Sequence, residues 1–248
     1  MRYNSRNRFT GYSSGYLPAG VKWLLITNTG LFLLYFLLGR TEIGPLFGFF
    51  YLTPYAVVYN FAVWQLVTYM FLHGGIWHIL FNMLALWMFG TDLESTWGTK
   101  RFLTYYFLCG IGAGICDVAA NAFAGNWGTH TIGASGAIYG LLLAFGLLYP
   151  DRTVLMSFLF PIKAKYFVMI MVAIAFLNSI GSSGSGISHI AHLGGMLFGY
   201  VYLRGMRVFR FDYGRIGRGY NEWRLRRARR KFQVYMRKHG SGRDPWLQ

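Results

Sequence analysis

Six long apolar blocks run through this chain of 248 residues, and they limit its possible folds more than any other feature. A run of about 20 apolar residues is long enough to cross the hydrocarbon core of a bilayer as one helix. Only 13% of the residues are charged, whereas soluble domains carry about 25%. We therefore expect an all-α membrane protein with six spans, near Val21–Gly39, Leu66–Phe89, Phe102–Phe123, Gly133–Tyr149, Tyr166–Ile180 and Ile187–Met206.

The Lys and Arg residues alternate between rich and poor segments along the chain. Four Lys or Arg residues lie at or before the start of the first span. The five loops between the spans contain, in chain order, one, two, none, three and none, and fourteen more Lys or Arg residues lie from Arg204 onward. Loops rich in Lys and Arg stay in the cytoplasm, so both termini are predicted to be cytoplasmic. The predicted organisation is a cytoplasmic tail (1–20), a membrane domain (21–206) and a basic cytoplasmic tail (207–248). We expect a multi-pass protein of the plasma (inner) membrane.

The C-terminal tail carries most of the net charge of +16. Apolar residues at Leu225, Ala228, Phe232 and Tyr235 are spaced three, four and three apart, which predicts a cationic amphipathic helix. Such a helix binds anionic lipids, with about 1 kcal/mol from each basic residue near the surface. Nucleic acid is the alternative partner. We expect none, because attachment to the membrane already explains a basic tail.

Polar side chains inside a membrane span are costly, so each one is a candidate functional group. His78 and Asn82 are four residues apart, share one helical face and can both donate hydrogen bonds. Ser135 lies among small residues in "TIGASGAIYG", where the fourth span begins. Free N–H groups at a helix start favour negative charge, which suits an oxyanion. Packing is the alternative interpretation of both features.

Two histidines, His189 and His192, lie in the sixth span just before a G-x-x-x-G face formed by Gly195 and Gly199. Such a face permits close helix contact, and contact with the fourth span would bring an imidazole to Ser135. A hydrogen bond between histidine and serine is the minimum needed to activate the hydroxyl.

A zinc site is the rival interpretation of the histidines, with His73, His78, His189 and His192 as ligands. No H-x-x-x-H pair and no cysteine or carboxylate ligand supports it, so we expect no metal. The nearby acids are Glu94, at the cytoplasmic end of span two, and Asp117, inside span three with no obvious partner. Neither falls close to a span-six histidine, so a Ser–His dyad would have to suffice.

Three motifs occur in order on spans two, four and six: His78-x-x-x-Asn82, Gly133-Ala-Ser135-Gly and Ala191-His192-Leu-Gly-Gly195. Together they resemble the pattern of the rhomboid family of intramembrane serine proteases, over about Trp64 to Gly199. The resemblance implies a six-transmembrane-helix rhomboid bundle. It also implies that the protein cleaves transmembrane segments of other membrane proteins without a cofactor.

The resemblance further implies a role for each matching residue. Ser135 matches the nucleophile and His192 the general base, with His189 as the nearby competitor. His78 and Asn82 match the side chains that stabilise the oxyanion, together with the Ser135 N–H. Three further residues match supporting positions, namely a small residue beside the nucleophile, an aromatic on the imidazole and an apolar residue near substrate entry: Gly133, Tyr139 and Phe81.

One position departs from the family's pattern. Many members carry Trp-Arg before the second span, whereas Trp64 is followed here by Gln65, which puts the anchoring of the first loop in doubt. Two other functions remain as alternatives: a catalytically silent rhomboid-like protein that binds membrane helices, and a small transporter or channel. The latter would need polar residues along a path through several spans, and here they are sparse.

Overall fold

The computed structural model describes residues 17–156, 160–181 and 189–205 of this chain. The predicted amphipathic helix, the basic tail and most of the N-terminal tail lie outside these residues. The chain divides into two compact units, Met1–Tyr202 and Leu203–Gln248, and only residues 203–205 of the second unit are described.

The described residues are mostly helical, and we number the helices and strands in chain order. The elements are α1 (Ala19–Leu38), a 3-10 helix (Gly44–Phe50), α2 (Pro54–Tyr59), α3 (Gln65–Thr68) with a following turn (Tyr69–Phe71), α4 (Ile76–Ala85), a π-helical turn (Leu86–Gly90), α5 (Thr91–Trp97), α6 (Thr99–Phe123), α7 (Ser135–Leu148), β1 (Thr153–Met156), β2 (Phe160–Lys163), α8 (Ala164–Gly181) and α9 (189–205).

Three stretches of the described chain are long and apolar enough to cross a membrane: α1, the continuous helix from α4 through α5, and α6. Helices α7 and α8 are also apolar but shorter. The chain is therefore an integral membrane protein built mainly from helices.

The second predicted span has different bounds from those expected. Its helix runs from Ile76 to Trp97, not from Leu66 to Phe89. Residues Gln65–Phe71 instead form a short helix and turn, because the backbone at Gly75 is fully extended and interrupts the helix. The helix ends at Gly98, whose φ of +78° is a conformation that glycine adopts at little cost.

Two short antiparallel strands, β1 and β2, form a hairpin that was not expected in this mostly helical chain. Thr153 pairs with Lys163 and Met156 with Phe160. The strands lie between α7 and α8, in the loop between the fourth and fifth predicted spans. Periodicity alone does not separate a short apolar strand from a buried helical segment, which is why the sequence did not reveal the hairpin.

The buried carboxylate of Glu94 joins α5 to the start of α1. It accepts hydrogen bonds from the backbone N–H groups of Gly20 at 2.8 Å and Val21 at 2.7 Å, and from the Thr99 hydroxyl at 2.6 Å. The N-terminal N–H groups of a helix have no partner within the helix, and a negative charge there is favourable. Glu94 therefore satisfies the start of α1 and holds it against the second membrane helix.

Helices α6, α7 and α9 pack through glycines on their facing surfaces. A Cβ added at Gly136 would lie 2.5 Å from the Ala113 Cβ, and one at Gly140 would lie 2.5 Å from the Cys109 Sγ. A Cβ added at Gly195 would overlap the carbonyl oxygen of Gly136. The expected close approach between the glycine face of the sixth span and the fourth span is thus confirmed.

Asp117 is fully buried in α6, as its position inside an apolar span indicated. Its Oδ1 accepts a hydrogen bond from the Asn121 side-chain amide at 3.1 Å, one helical turn later. The expectation that Asp117 has no partner was therefore wrong, because an i, i+4 pair on its own helix supplies one.

Candidate active site

Ser135 and His192 come together where α7 begins beside α9. The Ser135 Oγ and the His192 Nε2 are 2.8 Å apart, a normal length for a hydrogen bond. Ser135 is the first residue of α7, so its position depends on where that helix starts. His192 lies one residue after Ala191 and three before Gly195, on the part of α9 that the glycine crossing holds close to α7.

The His192 ring has a partner at one nitrogen. When Nε2 accepts the serine proton, Nδ1 carries the remaining ring proton. Nδ1 is buried and has no hydrogen-bond partner among the residues that the structure describes. The described arrangement therefore has two members, serine and histidine, with no carboxylate on the far side of the imidazole.

The imidazole is instead held by an aromatic ring. Tyr139, four residues after Ser135 on α7, stacks on His192 with a centroid distance of 4.1 Å and an angle of 5° between the ring planes. His189 approaches the same imidazole edge-on, at 5.7 Å. Of the two histidines that the sequence offered, His192 is the one that makes the bond to Ser135.

His78 faces the serine from α4, with a defined tautomer. Its Nδ1 accepts a hydrogen bond from the Gly74 backbone N–H at 3.3 Å, so Nδ1 is unprotonated and the ring proton lies on Nε2. A Cβ added at Gly133 would lie 2.7 Å from this Nε2. His78 therefore presents an N–H donor to the turn before Ser135.

Gly133 is required at this turn for two separate reasons. Its φ of +125° is rarely adopted by residues with a side chain, and the approach of His78 leaves no room for a Cβ. Its N–H donates to the Tyr69 carbonyl oxygen at 2.9 Å, which fixes the turn from the other side. Tyr69 was not identified from the sequence, because a backbone acceptor leaves no signal in residue type.

Asn82 lies one turn after His78 on α4, and its side chain is buried. Its Nδ2 donates to the His78 carbonyl oxygen at 2.9 Å, and a side-chain amide has a second N–H to offer. Phe81 is well exposed and stacks on Trp77, with ring centroids 6.1 Å apart.

A cavity of about 580 Å³ connects these groups. Ser135, His192, His78 and Asn82 line it, and Tyr139 and Phe81 are also part of its wall. The remaining wall is mostly apolar and is formed by residues of α4, α7, β1 and α8, including Ala85, Leu142, Val154 and Met171. A mostly apolar cavity with a few convergent polar groups is typical of a binding or catalytic site.

His73 is a further histidine close to the site. It lies three residues before the start of α4 and is fully buried. Its ring is 5.1 Å from that of His78, so it packs behind the donor. Among the described residues, no three His, Cys, Asp or Glu side chains are grouped as metal ligands would be.

A family model, the Rhomboid domain, matches residues 60–208 of this chain. The chain belongs to the rhomboid family. The match covers more than half of the chain and includes α4, α7 and α9, the three helices that carry the candidate site.

Relatives in several organisms bear names of rhomboid proteins. The Rhomboid protease GluP of Bacillus subtilis is 36% identical over 137 residues, which are 55% of this chain and 25% of that protein. The mitochondrial Rhomboid protein 1 of Saccharomyces cerevisiae is 33% identical over 53% of this chain and 38% of its own length. The Rhomboid-like protease 5 of Toxoplasma gondii is 35% identical over 60% of this chain and 17% of its own length.

This chain thus spans between 17% and 38% of the length of these three relatives. Family membership and the protease names support intramembrane proteolysis as the activity at the level of the family. One of the three relatives is mitochondrial by name.

Proposed function

We propose that this protein is an intramembrane serine endopeptidase that cleaves transmembrane segments of other membrane proteins with a Ser135–His192 dyad. The observation that carries the proposal is the 2.8 Å contact between Ser135 Oγ and His192 Nε2, at the wall of a cavity that also contains two hydrogen-bond donors. A nucleophile within hydrogen-bond distance of a base is the basic requirement for covalent catalysis.

In the proposed reaction, Ser135 Oγ attacks the carbonyl carbon of the scissile peptide bond while His192 Nε2 takes its proton. The negative charge that develops on the carbonyl oxygen is stabilised by the His78 Nε2–H, the Asn82 amide and the Ser135 N–H at the start of α7. The imidazolium then gives its proton to the leaving amine, and water releases the acyl group from Ser135. Removing one oxyanion donor in a soluble serine protease costs about 100- to 1000-fold in rate.

Tyr139 supports the charged intermediate in this scheme. Its ring stacks on His192, and an aromatic face attracts a cation such as imidazolium. The lack of a described partner at Nδ1 makes this stacking the main restraint on the ring. Gly133 keeps space for His78, and Phe81 lies at the exposed part of the cavity wall.

The proposal extends to the membrane topology. Six spans with both termini in the cytoplasm agree with the distribution of Lys and Arg, with 21–206 as the membrane domain and 1–20 and 207–248 as tails. We place the protein in the plasma (inner) membrane, with the basic tail on anionic lipids and no nucleic-acid partner. Ser135 then opens toward the outer side, where water for hydrolysis is available.

The test uses the purified full chain in detergent with a single-span model substrate. We expect Ser135→Ala and His192→Ala to cleave at background rate, and Ser179→Ala, a serine of α8 that bonds its own helix backbone, to cleave like the wild type. A fluorophosphonate should label the wild type and not Ser135→Ala. Wild-type cleavage by Ser135→Ala would overturn the mechanism, and loss of activity only in His189→Ala would reassign the base.

The same measurements separate this function from a catalytically silent helix-binding protein. A silent protein would retain the model substrate without cutting it, and Ser135 would not react with the fluorophosphonate. Specific labelling of Ser135 together with cleavage would exclude that alternative.

A further inference from the structure

Gln65 is a buried amide that contacts the chain at both of its ends. Only 3% of the residue is exposed. Its Oε1 accepts a hydrogen bond from the Thr53 backbone N–H at 3.0 Å, and its Nε2 donates to the Phe49 carbonyl oxygen at 3.2 Å. The two partners are the first and last residues of a five-residue segment, 49–53, so the Gln65 side chain, at the start of α3, contacts both ends of that segment.

Segment 49–53 pairs with the residues that directly precede Ser135. Leu52 N–H donates to the Thr131 carbonyl oxygen at 3.0 Å, and Thr131 N–H donates back to the Leu52 carbonyl oxygen at 2.9 Å. Two residues later the N–H of Gly133 bonds the Tyr69 carbonyl oxygen. A continuous set of hydrogen bonds thus runs from Gln65 through Leu52 and Thr131 to the turn that carries the serine.

We propose that Gln65 is a positioning residue for Ser135: its amide holds segment 49–53, and that segment holds the turn Thr131–Ser135 in register. The inference rests on the proposed function, since the positioned serine is the proposed nucleophile. Gln65 does not line the cavity, so it acts through the backbone and not by contact with the substrate.

The geometry requires one donor and one acceptor on the same side chain. Thr53 offers an N–H and needs an acceptor, whereas Phe49 offers a carbonyl and needs a donor. A glutamine supplies both, and an arginine supplies donors only. The departure from Trp-Arg at this position is therefore a change in how the first loop is anchored, and Gln65→Arg is not a conservative substitution in this chain.

Nearby contacts do not replace the amide. The Trp64 indole also donates to the Phe49 carbonyl oxygen, at 3.0 Å, and the Thr68 hydroxyl donates to that of Phe50, also at 3.0 Å. Both act at the first two residues of segment 49–53. The Thr53 hydroxyl also bonds His130 Nδ1, at 2.9 Å, but none of these three contacts supplies an acceptor for the Thr53 N–H. Loss of Gln65 leaves that N–H buried without an acceptor, which is costly.

The experiment compares the wild type with Gln65→Met, Gln65→Glu and Gln65→Arg in the full chain in detergent. Fluorophosphonate labelling measures the reactivity of Ser135, and steady-state cleavage separates kcat from KM. Hydrogen exchange at the Leu52 and Thr131 amides measures directly how stable the pair of hydrogen bonds between these two residues is. We expect Gln65→Met and Gln65→Arg to slow labelling by about 10- to 100-fold, because small misplacements of reacting groups cost this much. KM should change little, and both amides should exchange faster.

Gln65→Glu supplies a pH-dependent rescue that a purely structural role would not show. The ionised carboxylate still accepts from Thr53 but puts a buried negative charge against the Phe49 carbonyl oxygen, whereas the protonated form both accepts and donates. Burial raises the pKa of a carboxyl group, so the ratio of Gln65→Glu to wild-type labelling should rise between about pH 8 and about pH 5. Taking the ratio removes the titration of His192, which both proteins share. Asn60→Asp, an exposed amide-to-acid change on the same loop, should give a constant ratio.

The outcomes distinguish this inference from the proposed function. A flat Gln65→Glu ratio, or unchanged amide exchange in Gln65→Met, would overturn the positioning role even if the wild type is an active protease. If the wild type is not labelled while Gln65→Met still accelerates exchange at Leu52 and Thr131, the proposed catalytic function fails and the structural coupling stands.

Discussion

The two sides of α7 are packed in opposite ways. On one side it meets α6 and α9 through glycines, so closely that an added Cβ at Gly136, Gly140 or Gly195 would overlap a neighbour. On the other side, at its Ser135 end, it borders a cavity of about 580 Å³ that is also lined by residues of α4 and α8, and it contacts α8 directly farther along, at Gly146. Ser135, the first residue of α7, lies where the two sides meet.

The difference shows that one short helix both fixes a reactive side chain and borders a space for another molecule. The close-packed side fixes Ser135 relative to His192, and a pair of groups that must react needs such a fixed geometry. The cavity side leaves space for another molecule, and substitutions there meet empty volume in place of backbone. Changes of similar size should therefore have very different effects on the two sides.

The largest effect is expected on the close-packed side, from Gly195→Ala. The new methyl group overlaps the Gly136 carbonyl oxygen, so α9 must move away from α7 and carry His192 with it. Overpacking of this kind costs about 1–3 kcal/mol or more. We expect a lower melting temperature in detergent and loss of fluorophosphonate labelling at Ser135.

Gly30→Ala is the matched control for this change. Gly30 lies inside α1, and nothing lies within 4 Å of a Cβ added there, so the substitution should stabilise the helix by about 0.5–1 kcal/mol. If Gly195→Ala melts and labels like the wild type, the tight crossing does not set the position of the dyad.

Much of this architecture could be predicted from the sequence, for identifiable reasons. The first and third spans were found to within a few residues because their apolar runs are uninterrupted and nearly as long as the helices α1 and α6. The approach of α9 to α7 was predicted from the G-x-x-x-G face. Gly195 makes that contact, whereas Gly199 meets Tyr105 and Cys109 of α6. The grouping of Ser135, His192, His78 and Asn82 was inferred by resemblance, and their roles remain predictions.

Other features depend on backbone groups and long-range contacts that residue types do not record. The second span was started too early, at Leu66, because the apolar run continues across the break at Gly75. The burial of Glu94 against the start of α1 joins residues that are 73 and 74 positions apart. Gln65 was read as a weakness in the first loop, whereas its amide bonds both Phe49 and Thr53.

A smaller effect on folding is expected on the cavity side, from Ala85→Phe. Ala85 lines the cavity, so the ring enters existing space and the free energy of unfolding should change by only about 0.5 kcal/mol. Cleavage of a single-span substrate should slow, with a higher KM, because the substrate and the ring compete for the same volume. Melting temperatures and steady-state kinetics check both parts.

Ala113→Phe makes the same substitution on the close-packed side. Ala113 is fully buried and faces Gly136, so this variant should melt below the wild type, whereas Ala85→Phe should not. Equal stability of Ala85→Phe and Ala113→Phe would remove the distinction between the two sides of α7.

The smallest effect is expected from Asp151→Asn, in the exposed turn before β1. The Asp151 Oδ1 lies 3.1 Å from the Nζ of Lys165, at the start of α8, and 3.5 Å from the Nζ of Lys163, in β2. The hydrogen bond from Lys165, and the charges of both lysines, hold the pKa of Asp151 below its usual range. A lowered folded-state pKa means that the ion pair stabilises above the ordinary Asp range and is lost as the pH falls through the folded value.

Asp151 is fully exposed, and exposed ion pairs contribute little. The melting temperature of Asp151→Asn should therefore lie slightly below that of the wild type at neutral pH, and the gap should close in acid and in high salt. Thermal melts of the wild type and Asp151→Asn, from neutral to acidic pH, measure this difference in melting temperature. A large difference in melting temperature at neutral pH would contradict this expectation. It would mean that ion pairs contribute strongly to holding the hairpin against α8.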